Sequence, residues 1–202
     1  MDGMTEREWL NGLDPLTMLA FLQRAEKPSE RKLRLFAVAC SRRIWSRIDD
    51  LSRAAVEVAE DFADGLASPE QLRAARLACK SAGDNASWYS AVSNATIAAR
   101  NAALSAQPAF DTLVERRAQA ALLRDIFGNP FHPIPFATNW NTSAIALLAG
   151  DTYKNRDFEK MPILADALTV AGCDNEEMID HARDQPPHVR GCWVVDLLLR
   201  KL

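Results

Sequence analysis

The sequence predicts an all-α protein: a multi-helix bundle and a smaller C-terminal helical lobe, joined by an ordered proline-rich segment. Three observations lead there. Hydrophobic residues make up 48% of the 202, yet aromatic residues only 7%, and much of the difference is alanine, the strongest helix former. There are only 8 glycines, and no stretch alternates Val, Ile and Thr as strands do. Helix start and stop signals recur along the whole chain.

"TEREWL" sets Glu8 three residues after Thr5, the spacing of a capping box. "LDPLTMLAFLQRA" offers Asp14 as cap and Pro15 in the first turn. Ser29 then opens a long helix. "LSRAAVEVAEDFADG" stops at Gly65, and "SPEQL" restarts with Ser68 and Gln71 as a second box. From there to about residue 105 the chain reads as one alanine-rich helix, broken near "SAGDN"; its small residues let neighbouring helices come close. After Pro108, "FDTLVERRAQAALLRDIFG" forms the next helix and ends at Gly128. "NPFHPIPFATNWN" has three prolines in six residues and reads as an extended segment lying on the body. Short helices follow at about 142–150, 162–171, 175–183 and 188–201. The domains expected are a body over 1–128, a bridge over 129–141 and a lobe over 142–202 that packs on the body.

Charge and cysteine usage bound the function. The net charge is −3, which argues against a dedicated nucleic-acid binder. The four cysteines, Cys40, Cys79, Cys173 and Cys192, form no C-x-x-C pair. With a charged start and no leader pattern, free thiols in the cytoplasm are expected. No apolar run reaches the roughly 18 residues of a membrane span.

"SERKLRLFAVACSRRIWSRI" carries six Arg/Lys and one Glu. On a helical wheel Leu33, Ala37, Cys40, Ile44 and Ile48 share a stripe. Arg31, Lys32, Arg42, Arg43 and Arg47 fall opposite and form the candidate interaction surface. A polyanion is one partner for that surface. The alternative is internal pairing with the next helix, whose Glu57, Glu60, Asp61 and Asp64 are spaced to share a face. These carboxylates lack the Glu-x-x-His pattern of di-iron bundles, so no metal is expected there.

Cys173, His181, His188 and Cys192 have the residue types of a structural zinc site, but not the close pairs of familiar zinc fingers. In "HVRGCWVVDLLLRKL", His188, Cys192 and Asp196 also fall at i, i+4 and i+8. Yet Cys192 lies among Trp193, Val194, Val195 and Leu197, a setting that raises a thiol's pKa and excludes substrate. The expectation is therefore no metal, no cofactor and no cysteine nucleophile, with the final segment a buried helix whose Trp193 and Leu197 fill the core.

The stretches "RKLRLFAVAC.RRIW", "LLRDIFGNPF", "LADAL..AGC" and "HVRGCWVVDLLL" resemble a family of uncharacterised bacterial proteins that recur in multiple copies per genome. The likeness covers nearly the whole chain. It implies that Arg42, Arg43, Arg124, Asp125, Asn129, His188, Arg190 and Asp196 lie in shared motifs, and it implies no particular activity.

Three functions follow in order. The first is a non-enzymatic helical adaptor or regulatory module that binds another protein. The second is polyanion or nucleic-acid binding through helix 29–48. The third is an enzyme between the lobes, with Arg124, His132, His188 and Cys192 as its site. If the tail is core, deleting the last dozen residues lowers the melting temperature; an unchanged melting curve would refute that placement.

Overall fold

A computed structural model describes residues 3–24, 29–80, 89–92, 94–106, 112–135, 140, 142–184 and 187–201. Among them are eleven α-helices and no strand. The chain divides into two compact units, Met1–Arg124 and Asp125–Leu202. The border therefore falls before the proline-rich segment, inside the helix that precedes it. Residues 129–135 belong to the second unit instead of forming a separate bridge.

The first unit holds α1 (Glu6–Asn11), α2 (Pro15–Arg24), α3 (Glu30–Arg43), α4 (Asp50–Ala63), α5 (Pro69–Lys80), α6 (Ala95–Ala106) and most of α7 (Thr112–Phe127). The punctuation acts as the sequence suggests. Thr5 and Glu8 form a reciprocal capping box, and Ser68 and Gln71 another. Ser29 caps α3 by accepting the Lys32 N–H, and Asp49 caps α4 by accepting the Ser52 N–H. The expected break at "SAGDN", together with Trp88 and Pro108, lies outside the described residues.

At the centre of this unit α3 packs against α6 and α4. Ala95, Ala98, Ala99, Ala102, Ala103 and Ala106 are all buried on α6. Methyl-sized side chains let two helix backbones approach closely. The expected stripe of Leu33, Ala37, Cys40, Ile44 and Ile48 is buried, but α3 has no open opposite face. Every residue from Leu33 to Ser41 is buried, because α6 covers the side that a lone amphipathic helix would leave to water. The helix also stops at Arg43. A short 3₁₀ turn, Trp45–Arg47, carries the chain to α4.

The cations consequently cluster toward the ends of α3, where carboxylates meet them. Arg31 Nε donates to Asp64 at 3.0 Å, and Arg42 to Glu60 at 2.7 Å. Arg43 Nε bonds both oxygens of Glu115, at 2.8 and 3.0 Å. Glu115 is fully buried on α7 and also accepts from Gln119, which in turn donates to the Ala103 carbonyl of α6. Arg34, inside the buried run, donates to the carbonyls of Ser90 and Val92 and stacks on Phe62. Burial pulls its guanidinium down to about 10, still charged at neutral pH.

The second unit holds the last turn of α7, then α8 (Ser143–Asn155), α9 (Met161–Val170), α10 (Glu176–Arg183) and α11 (Trp193–Leu199). Its core joins Trp140, Ile145, Tyr153, Met161, Leu164 and Leu168 to Trp193, Val194, Val195, Leu197 and Leu198. The tail is thus buried as expected, and Trp193 and Leu197 sit in the core. Within the proline-rich segment, Ile134 and Trp140 pack on that core, whereas His132, Pro133 and Pro135 are exposed. Residues 136–139 and 141 lie outside the described residues.

Glu115 is the inner carboxylate on which Arg43 and Gln119 meet. Breaking a buried ion pair from one side typically costs several kcal/mol. Glu115→Ala is therefore expected to lower stability by about 3 kcal/mol, measured by urea titration. Asp50→Ala, at a solvent-exposed pair with Arg53, leaves the curve in place. Equal midpoints for the two variants would refute the role given to Glu115.

Candidate functional site

The final helix is shorter than the sequence suggests. A helix over 188–201 would place His188 and Cys192 on consecutive turns. Instead α11 begins at Trp193, Cys192 is its N-cap, and residues 187–191 form a turn. Gly191 takes φ +95°, a left-handed backbone that ends any helical register from His188. Arg190 holds the turn by donating to the carbonyls of Tyr153 and Lys154 at the end of α8, each at 3.1 Å. With this change of path the row of His188, Cys192 and Asp196 along one helix disappears. Asp196 is buried within α11.

The turn instead delivers His188 to Asp125, in the last turn of α7. His188 Nδ1 lies 2.8 Å from Asp125 Oδ1, and its Nε2 lies 3.3 Å from the Asp184 carbonyl. His181, near the end of α10, brings Nε2 to 3.1 Å from the same Oδ1 and 3.3 Å from Cys192 Sγ. The other oxygen of Asp125 accepts the Val189 N–H at 3.0 Å. Cys192 Sγ is 3.9 Å from His188 Nδ1. One ligand-type atom from each of Asp125, His181, His188 and Cys192 lies within 4.8 Å of the other three. Among the described residues this is the only such group.

Three of the four residues weighed for zinc from sequence therefore do converge. Cys173 does not; it is buried in the core just after α9. Asp125 takes its place. Its distance in the chain from the histidines leaves no spacing to read.

The site is closed. Asp125 and Cys192 are buried, and the His188 and His181 side chains are 4% and 17% exposed. Burial pushes the Cys192 thiol well above its usual value, and the Asp125 carboxylate adds to that, while the Val195 and Val194 N–H groups oppose it. For Asp125, burial works to raise the carboxyl, but its bonds with His181 and His188 prevail and hold it below the usual range. Burial works to lower His188, and the bond with Asp125 prevails to raise it. A protonated, buried thiol is a poor nucleophile, so acyl or group transfer on Cys192 has no support. The donor set can, however, hold a metal ion.

The other candidates are scattered. Arg124 donates to the carbonyls of Trp9 and Gly12 at the end of α1, and His132 is exposed. Neither joins His188 and Cys192 in the cluster. Of the basic residues, Arg31, Arg42 and Arg43 are in ion pairs. Lys32 is half-buried, and Arg47 is exposed on the 3₁₀ turn. The carboxylates expected together on α4 split: Glu60 is buried, Asp61 and Asp64 are half-buried, and Glu57 is exposed. No protein-family profile matches the chain, and no curated protein or solved structure matches it either.

Gly128 supports this cluster from below. It has φ +65°, and a Cβ there would stand 3.1 Å from the Trp193 ring. That ring in turn packs on His181, with centroids 5.2 Å apart. Gly128→Ala is expected to cost about 1–3 kcal/mol from the left-handed backbone alone, read as a lower melting temperature, and to change the Trp193 fluorescence environment. An unaltered melting temperature would refute the packing argument.

Proposed function

We propose that the protein is a non-enzymatic helical module that binds another protein, and that the first unit carries the binding groove. The observation behind this reading is a groove of about 1060 Å³ along α1 and α2. Met4, Leu13, Met18 and Phe21 supply apolar lining, and Arg7 and Glu8 are among the polar residues that complete it. Leu13 is 49% exposed, so its side chain is open to a partner at this groove. A groove lined by both apolar and charged side chains suits an amphipathic segment of a partner chain, whose greasy and polar faces each find a match.

Both alternatives are weaker. Polyanion binding through helix 29–48 would have to compete with Asp64, Glu60 and Glu115 for Arg31, Arg42 and Arg43. An enzyme using Cys192 would need a thiolate reachable from solvent, and this one is buried with its proton held. No helix among the described residues is long and apolar enough to cross a membrane. Four buried cysteines that stand outside any disulfide suit a reducing compartment, and on that ground our reading puts the protein in the cytoplasm. Membership of the bacterial family whose motifs the chain resembles is part of the same proposal.

The test compares the full chain with Leu13→Arg as baits in native lysate. Wild-type protein is expected to retain a reproducible partner whose affinity falls by about 10-fold or more in the variant, since an interface anchor is commonly worth over 1 kcal/mol. Identical capture by both baits, or none by either, would overturn the assignment of the groove.

A further inference from the structure

We infer that Asp125, His181, His188 and Cys192 form a closed structural site for a zinc ion, which ties the last turn of α7 to α10, the 187–191 turn and the start of α11. The inference concerns the second unit and is independent of the groove reading.

The first support is geometric. Zinc bonds of about 2.0 Å to nitrogen or oxygen and about 2.3 Å to sulfur, set tetrahedrally, place N/O ligand atoms about 3.3 Å apart and N–S pairs about 3.6 Å apart. Here the N–O separations are 2.8 and 3.1 Å, and the N–S separations 3.3 and 3.9 Å. Those four edges lie within about half an ångström of tetrahedral values, and the remaining N–N and O–S pairs lie within 4.8 Å, so binding draws the four atoms in around the ion.

The second support is the set of outer partners. A metal-bound histidine generally uses its other ring nitrogen to hold a carbonyl or carboxylate, and a bound carboxylate is itself hydrogen-bonded. His188 coordinates through Nδ1 in this arrangement, and its Nε2 faces the Asp184 carbonyl. Asp125 coordinates through Oδ1, and its Oδ2 already accepts the Val189 N–H. The inner atoms are thus left facing one another, with the outer atoms of His188 and Asp125 occupied.

The third support is the count of protons. Both imidazole nitrogens point at Asp125 Oδ1, and Cys192 Sγ lies 3.3 Å from His181 Nε2 and 3.9 Å from His188 Nδ1. Each of these imidazole nitrogens thus faces both a carboxylate oxygen and a thiol, more neighbours than its single proton or single lone pair can serve. A cation in their midst resolves the crowding, with each of the four atoms giving a lone pair to the metal. The thiol proton and any imidazole proton at a coordinating nitrogen then leave to solvent. One thiolate and one carboxylate balance the two positive charges of the ion, so no net charge is buried.

The choice of metal follows from the donors. A thiolate with two imidazoles favours zinc over magnesium or calcium, which take oxygen ligands. Four protein ligands, with little exposure of the cluster, leave no open position for catalysis, which marks the site as structural.

The test uses the full chain, stripped of metal and then given zinc or cobalt alone. One zinc per chain is expected by elemental analysis. Cobalt(II) is expected to give intense tetrahedral visible bands and a near-ultraviolet thiolate-to-cobalt band. Cys192→Ser abolishes that near-ultraviolet band and weakens zinc binding by more than about 100-fold, beyond the effect usual for an outer partner. Cys173→Ser keeps both properties. No zinc uptake by the wild-type chain, a weak octahedral cobalt spectrum, or loss of the thiolate band in Cys173→Ser with retention in Cys192→Ser would each overturn the inference. If Cys192→Ser fails to fold, the wild-type cobalt spectrum decides alone.

Discussion

Each unit is organised around a helix that water scarcely reaches, and this constraint governs where polar groups stand. In the first unit it is α3, buried without interruption from Leu33 to Ser41. In the second it is α11, buried from Trp193 to Leu198. A helix enclosed on all sides can keep charge only where it enters or leaves the interior, or where a dedicated partner meets it. At α3 the entering and leaving cations are Arg31, Arg42 and Arg43, each matched to a carboxylate on α4 or α7. Arg34 in α3 and Asp196 in α11 stand inside the buried runs, and two backbone carbonyls receive Arg34. At α11 the same problem arises at the entrance, where Cys192, His181, His188 and Asp125 meet.

The two polar centres differ in kind. The α3 pairs join full charges of opposite sign along short routes, and they leave little guanidinium for an outside anion. The cluster before α11 joins groups whose charge depends on protons, packed more closely than a simple ion pair requires. One carboxylate oxygen serves both histidines, and a thiol closes the group. The first arrangement reads as architecture, and the second gathers four side chains of metal-ligand type at one point. That contrast separates the basic helix, the more conspicuous feature in the sequence, from the less conspicuous site with richer chemistry.

The fold class and most helix ends were legible because they depend on local chemistry. Thr5 with Glu8 and Ser68 with Gln71 each act within four residues. The alanine run predicted close packing for the same reason. What could not be read depends on partners distant in the chain. Glu115 looks like a surface carboxylate until Arg43 arrives from 72 residues away. Asp125 lies 56 residues from His181 and 63 from His188, so no motif spacing could connect them. The final helix is shorter than the sequence suggests for a local reason: Cys192 is its N-cap, and the left-handed Gly191 breaks any helical register from His188.

The seam between α3 and α6 sets the room available for sequence drift. Where neighbouring backbones are separated by little more than methyl groups, enlarging Ala98, Ala99 or Ala102 has no empty space to use. A valine or leucine there must push a helix outward and disturb its ion pairs, so a gain in greasiness becomes a loss of fit. Over many generations, such a surface should wander among alanine, serine and glycine while its exposed flank changes freely. The tolerance of this protein to mutation is therefore set by volume more than by polarity along its innermost seam.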